Sequence, residues 1–398
     1  MTVLNYLDRQ TLSIVAPLML RDLGVSLTGY TQAVNAFLFA YGLMYVGSGV
    51  ILDRVGARAG LAIFVGFWSL FSGLHCIIAG VGSMIAFRFL LGVAEPGGFT
   101  GAVKAISEQF GASQRALATG IFTSGAGIGS IIAVPLIVFL SLRVGWRMAF
   151  ALPALAGLIW VPLWLLANRG ADRRLKSLTV AAVPSFSVRL RLLGNRHVFS
   201  YVLSRFFGDS TGYFFMFWMP AYLVSSKHFS YVMLGTLGWI PACGIDAGAL
   251  LGGYASSRLV SSAWQPIVAR KTMMTLAAVL VAMGSILQVT ANTGWVIASL
   301  TLCTFGVGVW AANLHCLPAD AFSRPVVATV HGLAGTAGAI GGVLFNTLVG
   351  YFTVRNQYMH VFLLFASLQP LGVAALWKWL HSTAPDASPI ESEVINPI

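Results

Sequence analysis

Long hydrophobic runs dominate the chain, and polar residues cluster in short intervals between them. About twelve apolar stretches of roughly twenty residues follow one another, and each is long enough to cross a hydrocarbon core of about 30 Å as a helix. Inside a bilayer the backbone must satisfy its own hydrogen bonds, which a helix does within one segment. The pattern therefore predicts an all-α polytopic membrane protein with twelve transmembrane helices.

The longest polar interval divides these predicted spans into two groups of six. We predict an N-terminal six-helix half over residues 1–168, a cytoplasmic linker over 169–196, a C-terminal six-helix half over 197–381 and a polar cytoplasmic tail over 382–398. A glycine-rich segment in the second half, Gly332–Gly341, can be set against Gly120–Gly129 in the first half. Two related halves with a site between them are an arrangement of secondary transporters.

Composition and charge agree with a membrane location. Of the 398 residues, 57% are hydrophobic and only 9% are charged, which excludes an ordinary soluble domain. The net charge of +12 could suggest nucleic acid, but most Lys and Arg fall in the loops and tail of one predicted side, as the positive-inside rule describes. We predict a monomer in the cell inner membrane, with both termini in the cytoplasm, the lipid bilayer as partner and no nucleic-acid partner.

Two ionisable residues lie inside the fourth span, Arg88 and Glu95. Seven residues at 100° per residue return both side chains to one helix face. Because ionisable side chains in a membrane span usually face a bundle interior or a water path, this pair is a candidate anion and proton site. A structural ion pair, or a span end near the lipid headgroups, is the alternative. The first span adds a second acid and base, Asp8 and Arg9.

Polar residues in the second half are harder to interpret. Asn313 in span 10 either binds substrate hydroxyls or bonds to another helix, and we include it among the candidate substrate ligands. Asn346 in span 11 has a similar status. Arg205 and Asp209 lie one turn apart in span 7, and the sequence assigns them no role. His315 is interpreted as a packed or interfacial histidine.

The interval after span 2 carries a recognisable motif. It reads Gly49-Val-Ile-Leu-Asp53-Arg54-Val-Gly56-Ala-Arg58, a tight charged turn whose glycines are expected to allow close helix approach. This turn resembles the signature of the major facilitator superfamily between spans 2 and 3, and Gly253–Arg258 resembles a weaker second copy. The resemblance implies a major facilitator fold and a gating or structural role for Gly49, Asp53, Arg54, Gly56 and Arg58.

Further segments carry a narrower resemblance. They are Asn5-Tyr-Leu-Asp8-Arg9-Gln-Thr-Leu, Arg88-Phe-Leu-Leu-Gly-Val-Ala-Glu95, Gly145-Trp-Arg147 and Phe217-Trp-Met-Pro220. Together they resemble the anion:cation symporters, and most closely the bacterial hexuronate transporters. The resemblance implies that Arg9 binds a substrate carboxylate, that Arg88 organises the charged network, and that Asp8 and Glu95 carry protons. The residues that it implies in holding the polyol are Tyr6, Tyr41 and Asn346.

These features predict proton-coupled uptake of a sugar acid by alternating access, with a hexuronate such as glucuronate or galacturonate as substrate. An aldonate or aldarate, or another organic anion, is the alternative substrate, and an anion channel is the alternative of a different class. An enzyme would need a nucleophile and base or a metal cluster, and the sequence has no HExxH, GxSxG or Cys/His set. We therefore expect no enzymatic activity, no cofactor and no metal.

Overall fold

The computed structural model describes residues 1–109, 112–169, 192–289, 292–322 and 324–381, and these residues contain helices and no strands. Most of the predicted linker and the whole predicted tail lie outside the described residues. The helices are α1 (Thr2–Leu23), α2 (Leu27–Leu74), α3 (Val81–Ala94), α4 (Pro96–Gln109), α5 (Ala112–Val144), α6 (Trp146–Ala167), α7 (Arg196–Phe217), α8 (Met219–Ser225), α9 (Tyr231–Leu237), α10 (Ile240–Ser261), α11 (Pro266–Ile286), α12 (Thr293–Ala321), α13 (Arg324–Val354) and α14 (Tyr358–Trp379).

Eight helical segments in the described residues are long and apolar enough to cross a membrane. Charged residues lower the hydropathy of α1 and α7, which are also of spanning length. This confirms the all-α membrane fold class. Taking the kink of α2 as a boundary and joining the short helices α4, α8 and α9 to their neighbours gives twelve segments in the described chain.

Spans 2 and 3 are two helices joined by a tight turn at Gly56, and α2 contains both. Gly56 interrupts α2 with φ 77°, a backbone conformation that favours glycine. Beyond the kink, Arg58 donates from Nη2 to the Leu165 carbonyl at 3.1 Å, while Trp164 Nε1 donates to the Arg58 carbonyl at 2.9 Å. The expectation that Gly49 and Gly56 allow close helix approach was wrong, because a Cβ at either position would meet nothing within 4 Å.

Two charged residues of the same motif, Asp53 and Arg54, precede Gly56. Arg54 is exposed, so its guanidinium can reach water or headgroups. The side chain of Asp53 lies outside the described part of the structure. The gating role of the motif stays a prediction.

Span 4 is interrupted at Glu95, where α3 ends and α4 begins. Pro96 follows directly, and proline has no N–H with which to continue the helical hydrogen bonds. The next two glycines pack against aromatic rings of α2: a Cβ at Gly97 would overlap the Phe64 ring, and one at Gly98 would overlap the Trp68 ring. The Pro-Gly-Gly sequence therefore breaks the helix and also lets α4 lie directly on α2.

The helices pack as two compact units that do not follow chain order. The first unit contains the described residues up to 169 together with 216–239, and the second contains 192–215 and 240–381. The segment 216–239 is fixed to the first unit: Tyr30 donates its hydroxyl to the Phe217 carbonyl and contacts Trp218 edge-on at 5.2 Å. The hydroxyl of Tyr231 donates to the Ile14 carbonyl at 3.1 Å. The division of the sequence at 169–196 stays a prediction.

Glycines also set the distance between helices inside the first unit. A Cβ at Gly129 would lie 2.9 Å from the Val3 carbonyl oxygen and 3.0 Å from the Cβ of Tyr6, so α5 and α1 are nearly in backbone contact. A Cβ at Gly92 of α3 would overlap the Phe37 carbonyl oxygen of α2. These close approaches bring α1, α2 and α3 around one region.

We expect Gly92→Ala to lower the stability of the protein. The added methyl group would press on backbone, which cannot rotate away, and overpacking of this kind costs about 1–3 kcal/mol. Thermal unfolding of the purified protein measures the effect. Gly82→Ala in the same helix is the matched control, because its Cβ would enter open space; equal losses in the two variants would contradict the close packing at Gly92.

Candidate functional site

The centre of the candidate site is a buried ion pair between α1 and the break in span 4. Arg9 donates from Nε to Oε1 of Glu95, and the side chains are 11% and 2% exposed. Asn5, one turn earlier in α1, lies within hydrogen-bonding reach of the same carboxylate. Because Glu95 is the residue between α3 and α4, the helix break and the acid coincide.

Aromatic rings surround the guanidinium of Arg9. Its Cζ atom lies 4.9 Å from the ring centre of Tyr41, 5.4 Å from that of Tyr6 and 5.8 Å from that of Phe37. Rings at these distances attract a cation through their negative faces. The structure thus brings Tyr6 and Tyr41, two of the predicted substrate ligands, together with Arg9.

Asp8 occupies a separate position beside the first pair. It is 2% exposed and accepts a hydrogen bond from the hydroxyl of Ser72 at 2.8 Å. Trp68 lies one turn before Ser72 and is fully buried. Sequence reasoning missed Ser72 as a partner. The available signal was the recurrence of polar residues at helical spacing, Ser69, Ser72 and His75, in an otherwise apolar span.

Arg88 is the most deeply buried cation of the site. It is 1% exposed, and none of its three side-chain nitrogens has a hydrogen-bond partner among the described residues. Its Cζ atom lies 5.7 Å from the centre of the Phe37 ring, which also lies beside Arg9. Arg88 and Glu95 are both buried, as expected for ionisable residues that face the interior of the helix bundle.

His75 is a second residue that sequence reasoning missed. It is fully buried and stacks on Phe150 with ring centres 5.1 Å apart. Its Nδ1 lies 2.8 Å from the Phe71 carbonyl, and the imidazole is within electrostatic reach of Arg88. A histidine with its hydrogen on Nδ1 presents a lone pair on Nε2, so it can lie near a cation without adding positive charge.

The two candidate asparagines lie in the second unit, whereas the other candidate site residues lie in the first. Asn313 is fully buried and donates from Nδ2 to the Val309 carbonyl at 2.9 Å. This contact favours the interpretation of Asn313 as a residue that bonds to helix backbone, although its Oδ1 has no partner among the described residues. Asn346 is 5% exposed on α13.

The first unit therefore holds two acids and two arginines in one buried network. Arg9 and Glu95 are ion-paired, Asp8 is hydrogen-bonded to Ser72, and Arg88 lies within electrostatic reach of both acids. Such a network can exchange one anionic partner for another and can take up protons at its carboxylates. No group of three or more His, Cys, Asp or Glu that could hold a metal occurs in the described part of the chain.

Comparison with known families identifies the fold. The family model described as Major Facilitator Superfamily matches residues 1–346. The chain belongs to this superfamily. It is therefore a membrane transporter rather than an enzyme.

The curated relatives of this superfamily member are bacterial transporters. It is 29% identical to the hexuronate transporter of Escherichia coli over 400 residues, which cover 96% of this chain and 92% of that protein. It is 27% identical to the probable galactarate/D-glucarate transporter GarP of Escherichia coli, over 93% of this chain and 90% of that protein. The galacturonate transporter of Dickeya chrysanthemi is 28% identical over 70% of this chain and 85% of that protein.

Solved structures agree on the fold. The chain superposes on the crystal structure of a bacterial homolog to the human lysosomal transporter Spinster, in an inward-facing and unoccupied conformation, with a TM-score of 0.75. The match covers 96% of this chain and 97% of that chain at 16% sequence identity. At this level of identity the likeness concerns the fold alone.

We expect Ser72→Ala to destabilise the protein through Asp8. Removing the hydroxyl leaves a buried carboxylate oxygen without its donor, which costs about 1–3 kcal/mol. Thermal unfolding in detergent measures the loss. Ser13→Ala is the matched control, because Ser13 is also fully buried but donates only to the Gln10 carbonyl of its own helix.

The double variant Ser72→Ala/Asp8→Asn separates the contact from general packing. If the hydrogen bond carries the effect, Ser72→Ala costs less in the Asp8→Asn protein than in the wild type. The same loss in both backgrounds would show that Ser72 does not act through Asp8.

Proposed function

We propose that this transporter takes up a sugar acid, most specifically a hexuronate such as glucuronate or galacturonate, together with protons. The observation that carries the proposal is the buried Arg9–Glu95 pair, flanked by Tyr6 and Tyr41. A cation that already holds a carboxylate can hold the carboxylate of a substrate instead. The names of the relatives, which include hexuronate and galacturonate transporters, support a sugar acid.

Competition for Arg9 provides the coupling. A guanidinium stabilises the ionised form of a nearby carboxylate, so Glu95 gains proton affinity when the substrate takes Arg9 from it. Substrate binding then favours proton binding, and by reciprocity proton binding favours substrate binding. Proton and sugar acid thus travel on one carrier without direct contact between them.

The neighbouring residues have distinct parts in this proposal. Arg9 offers a planar pair of donors that matches a carboxylate, while the hydroxyls of Tyr6 and Tyr41 bind hydroxyl groups of the sugar. Asp8 is a second proton carrier, poised by Ser72, and Arg88 holds the network together electrostatically. Asn313 and Asn346 of the second unit stay candidate ligands for the polyol.

Transport proceeds by alternating access, in which the site opens to each side of the membrane in turn. The carrier acts as a monomer in the cell inner membrane, with both termini in the cytoplasm. The motif Gly49–Arg58 contributes to gating through the kink at Gly56. Because Gly56 absorbs the non-helical dihedral angles, it is the natural pivot between spans 2 and 3.

Uptake by purified protein in proteoliposomes tests the function. Radiolabelled glucuronate or galacturonate should accumulate when the outside is more acidic than the inside and should only equilibrate when the gradient is removed. Uptake that ignores the gradient would contradict the proton coupling. If neither glucuronate nor galacturonate enters but galactarate or glucarate enters efficiently, the substrate is an aldarate.

An aldarate is the second candidate because of Arg88. This buried cation has no hydrogen-bond partner among the described residues, and a substrate with two carboxylates could engage a second arginine. The relatives named galactarate/D-glucarate transporters give the same alternative. Competition of unlabelled glucarate against labelled glucuronate ranks the two classes directly.

We expect Glu95→Gln to uncouple transport from the proton gradient. Glutamine mimics a permanently protonated acid, so substrate exchange between labelled and unlabelled pools should persist while accumulation falls to the equilibrium level. Counterflow and gradient-driven uptake measure these separately. Accumulation equal to that of the wild type would show that Glu95 is not a coupling acid.

We expect Arg9→Lys to weaken substrate binding strongly. Lysine keeps the charge but loses the planar two-point contact, and one hydrogen bond to a charged group is worth about 1.5–3 kcal/mol. Affinity should fall by roughly 10- to 100-fold, measured as the concentration for half-maximal counterflow. Arg21→Lys, at the exposed end of α1, should leave affinity unchanged; wild-type affinity in Arg9→Lys would remove Arg9 as the carboxylate ligand.

A further inference from the structure

Three helices of the second unit bring a further set of ionisable side chains together. The hydroxyl of Tyr201 on α7 lies 3.2 Å from Nδ1 of His331 on α13. The ring of His331 lies 5.6 Å from that of His315 on α12, centre to centre. These residues are far from the acids of the first unit along the chain, and the proposed function uses none of them.

An ion pair borders this histidine pair. Arg205 donates from Nε and Nη2 to Oδ2 of Asp209 at 2.8 and 2.7 Å, one turn further along α7. His315 is within electrostatic reach of both Arg205 and Asp209, and His331 is within reach of Arg205. The carboxylate of Asp209 lies directly against Gly338 of α13, where any Cβ would overlap it. The glycine therefore leaves room for the acid between α7 and α13.

Hydrogen bonding determines where His315 can accept a proton. Its Nδ1 lies 2.7 Å from the Ala311 carbonyl oxygen. A carbonyl only accepts, so Nδ1 must carry the hydrogen, and the lone pair of the neutral ring is on Nε2. Protonation of Nε2 converts a hydronium ion to water and the imidazole to imidazolium, and no other bond changes.

The charges around His315 and His331 allow the two rings to bind one proton between them. Tyr201 contacts the ring of His331, Arg205 lies within electrostatic reach of both rings, and Asp209 lies within reach of His315. Arg205 and Asp209 compensate each other, so a first proton on the pair adds a single positive charge. A second proton would place two imidazolium rings side by side next to Arg205, which Coulomb repulsion disfavours.

We propose that His315 and His331 form a second proton-binding site of the carrier, shared between the two rings and positioned by Tyr201 and the Arg205–Asp209 pair. The inference rests on the proposed function in that it adds a second proton site to a proton-coupled carrier. It is separate from the coupling acids, since all five of its residues belong to the second unit.

Nuclear magnetic resonance of ¹⁵N-histidine-labelled full-length protein in lipid nanodiscs tests proton binding without reference to transport. The signals that disappear in His315→Gln and in His331→Gln identify the two residues. We expect both signals to change as the pH is lowered, and the midpoint of each to move by at least half a pH unit when the other is replaced. Signals that do not change at any pH at which the protein stays folded, or that titrate independently, would overturn the proposal.

Two glycine variants on α13 test the positioning of Asp209. Gly338→Ala should displace the carboxylate and shift the histidine midpoints, whereas Gly332→Ala, whose Cβ would meet nothing within 4 Å, should leave them in place. Identical titration in the two variants would contradict the role of the ion pair. Tyr201→Phe removes the hydroxyl that contacts His331 and should also shift its midpoint.

Substrate counterflow at equal pH on both sides links the site to transport. We expect the counterflow rate to vary at least threefold with pH in the wild type and in the control His360→Gln, which replaces a histidine of α14 that stacks on Phe352. The variation should be smaller in His315→Gln/His331→Gln. An unchanged pH response in the double variant would show that the pair takes no part in transport. Loss of gradient-driven accumulation in the wild type would instead refute the proposed coupling, while the nuclear magnetic resonance titration would still decide whether the pair binds a proton.

Discussion

A buried ion pair between Arg9 and Glu95 is the constraint on which the first unit depends. Charges inside a helical bundle are costly unless they have partners, so α1 and the break in span 4 must stay in contact while the pair exists. In the proposed mechanism, a substrate carboxylate replaces Glu95 as the partner of Arg9. The interaction that holds the two elements together would then be the one that the ligand releases, so that binding and rearrangement are parts of one event.

Small residues make this arrangement possible. Gly129 lets α5 approach the backbone of α1 beside Tyr6, and Gly92 lets α3 approach α2 beside Phe37. The aromatic rings near Arg9 are therefore positioned by helix contacts made elsewhere. Gly97 and Gly98 have the same function for α4, which lies on Phe64 and Trp68 of α2. The charged side chains bind ions and protons, but the distances between them depend on how closely the glycines allow the helices to pack.

Hydrophobic periodicity and the rarity of charges in spans were enough to predict the fold class and the burial of Arg88 and Glu95. They were not enough to predict which side chains form ion pairs or hydrogen bonds with one another. The choice of Glu95 rather than Asp8 as the partner of Arg9 depends on the register of α1 against the helix break, and the contact of Asp8 with Ser72 depends on the rotation of α2. The motif at Gly49–Arg58 was recognisable as a tight turn, yet its spacing alone does not show that Gly56 is the residue with non-helical dihedral angles.

The assignment of residues 216–239 to the first unit has a consequence for how the chain is connected. The polypeptide passes between the two units three times: once between residues 169 and 192, again at the end of α7, and a third time at the start of α10. A protease cut in the long polar interval would therefore leave residues 216–239 of the first unit covalently joined to the second unit, while the residues up to 169 would be held to that segment by non-covalent contacts alone. The end of α7 and the start of α10 connect the two units as the linker does, and α7 itself belongs to both units.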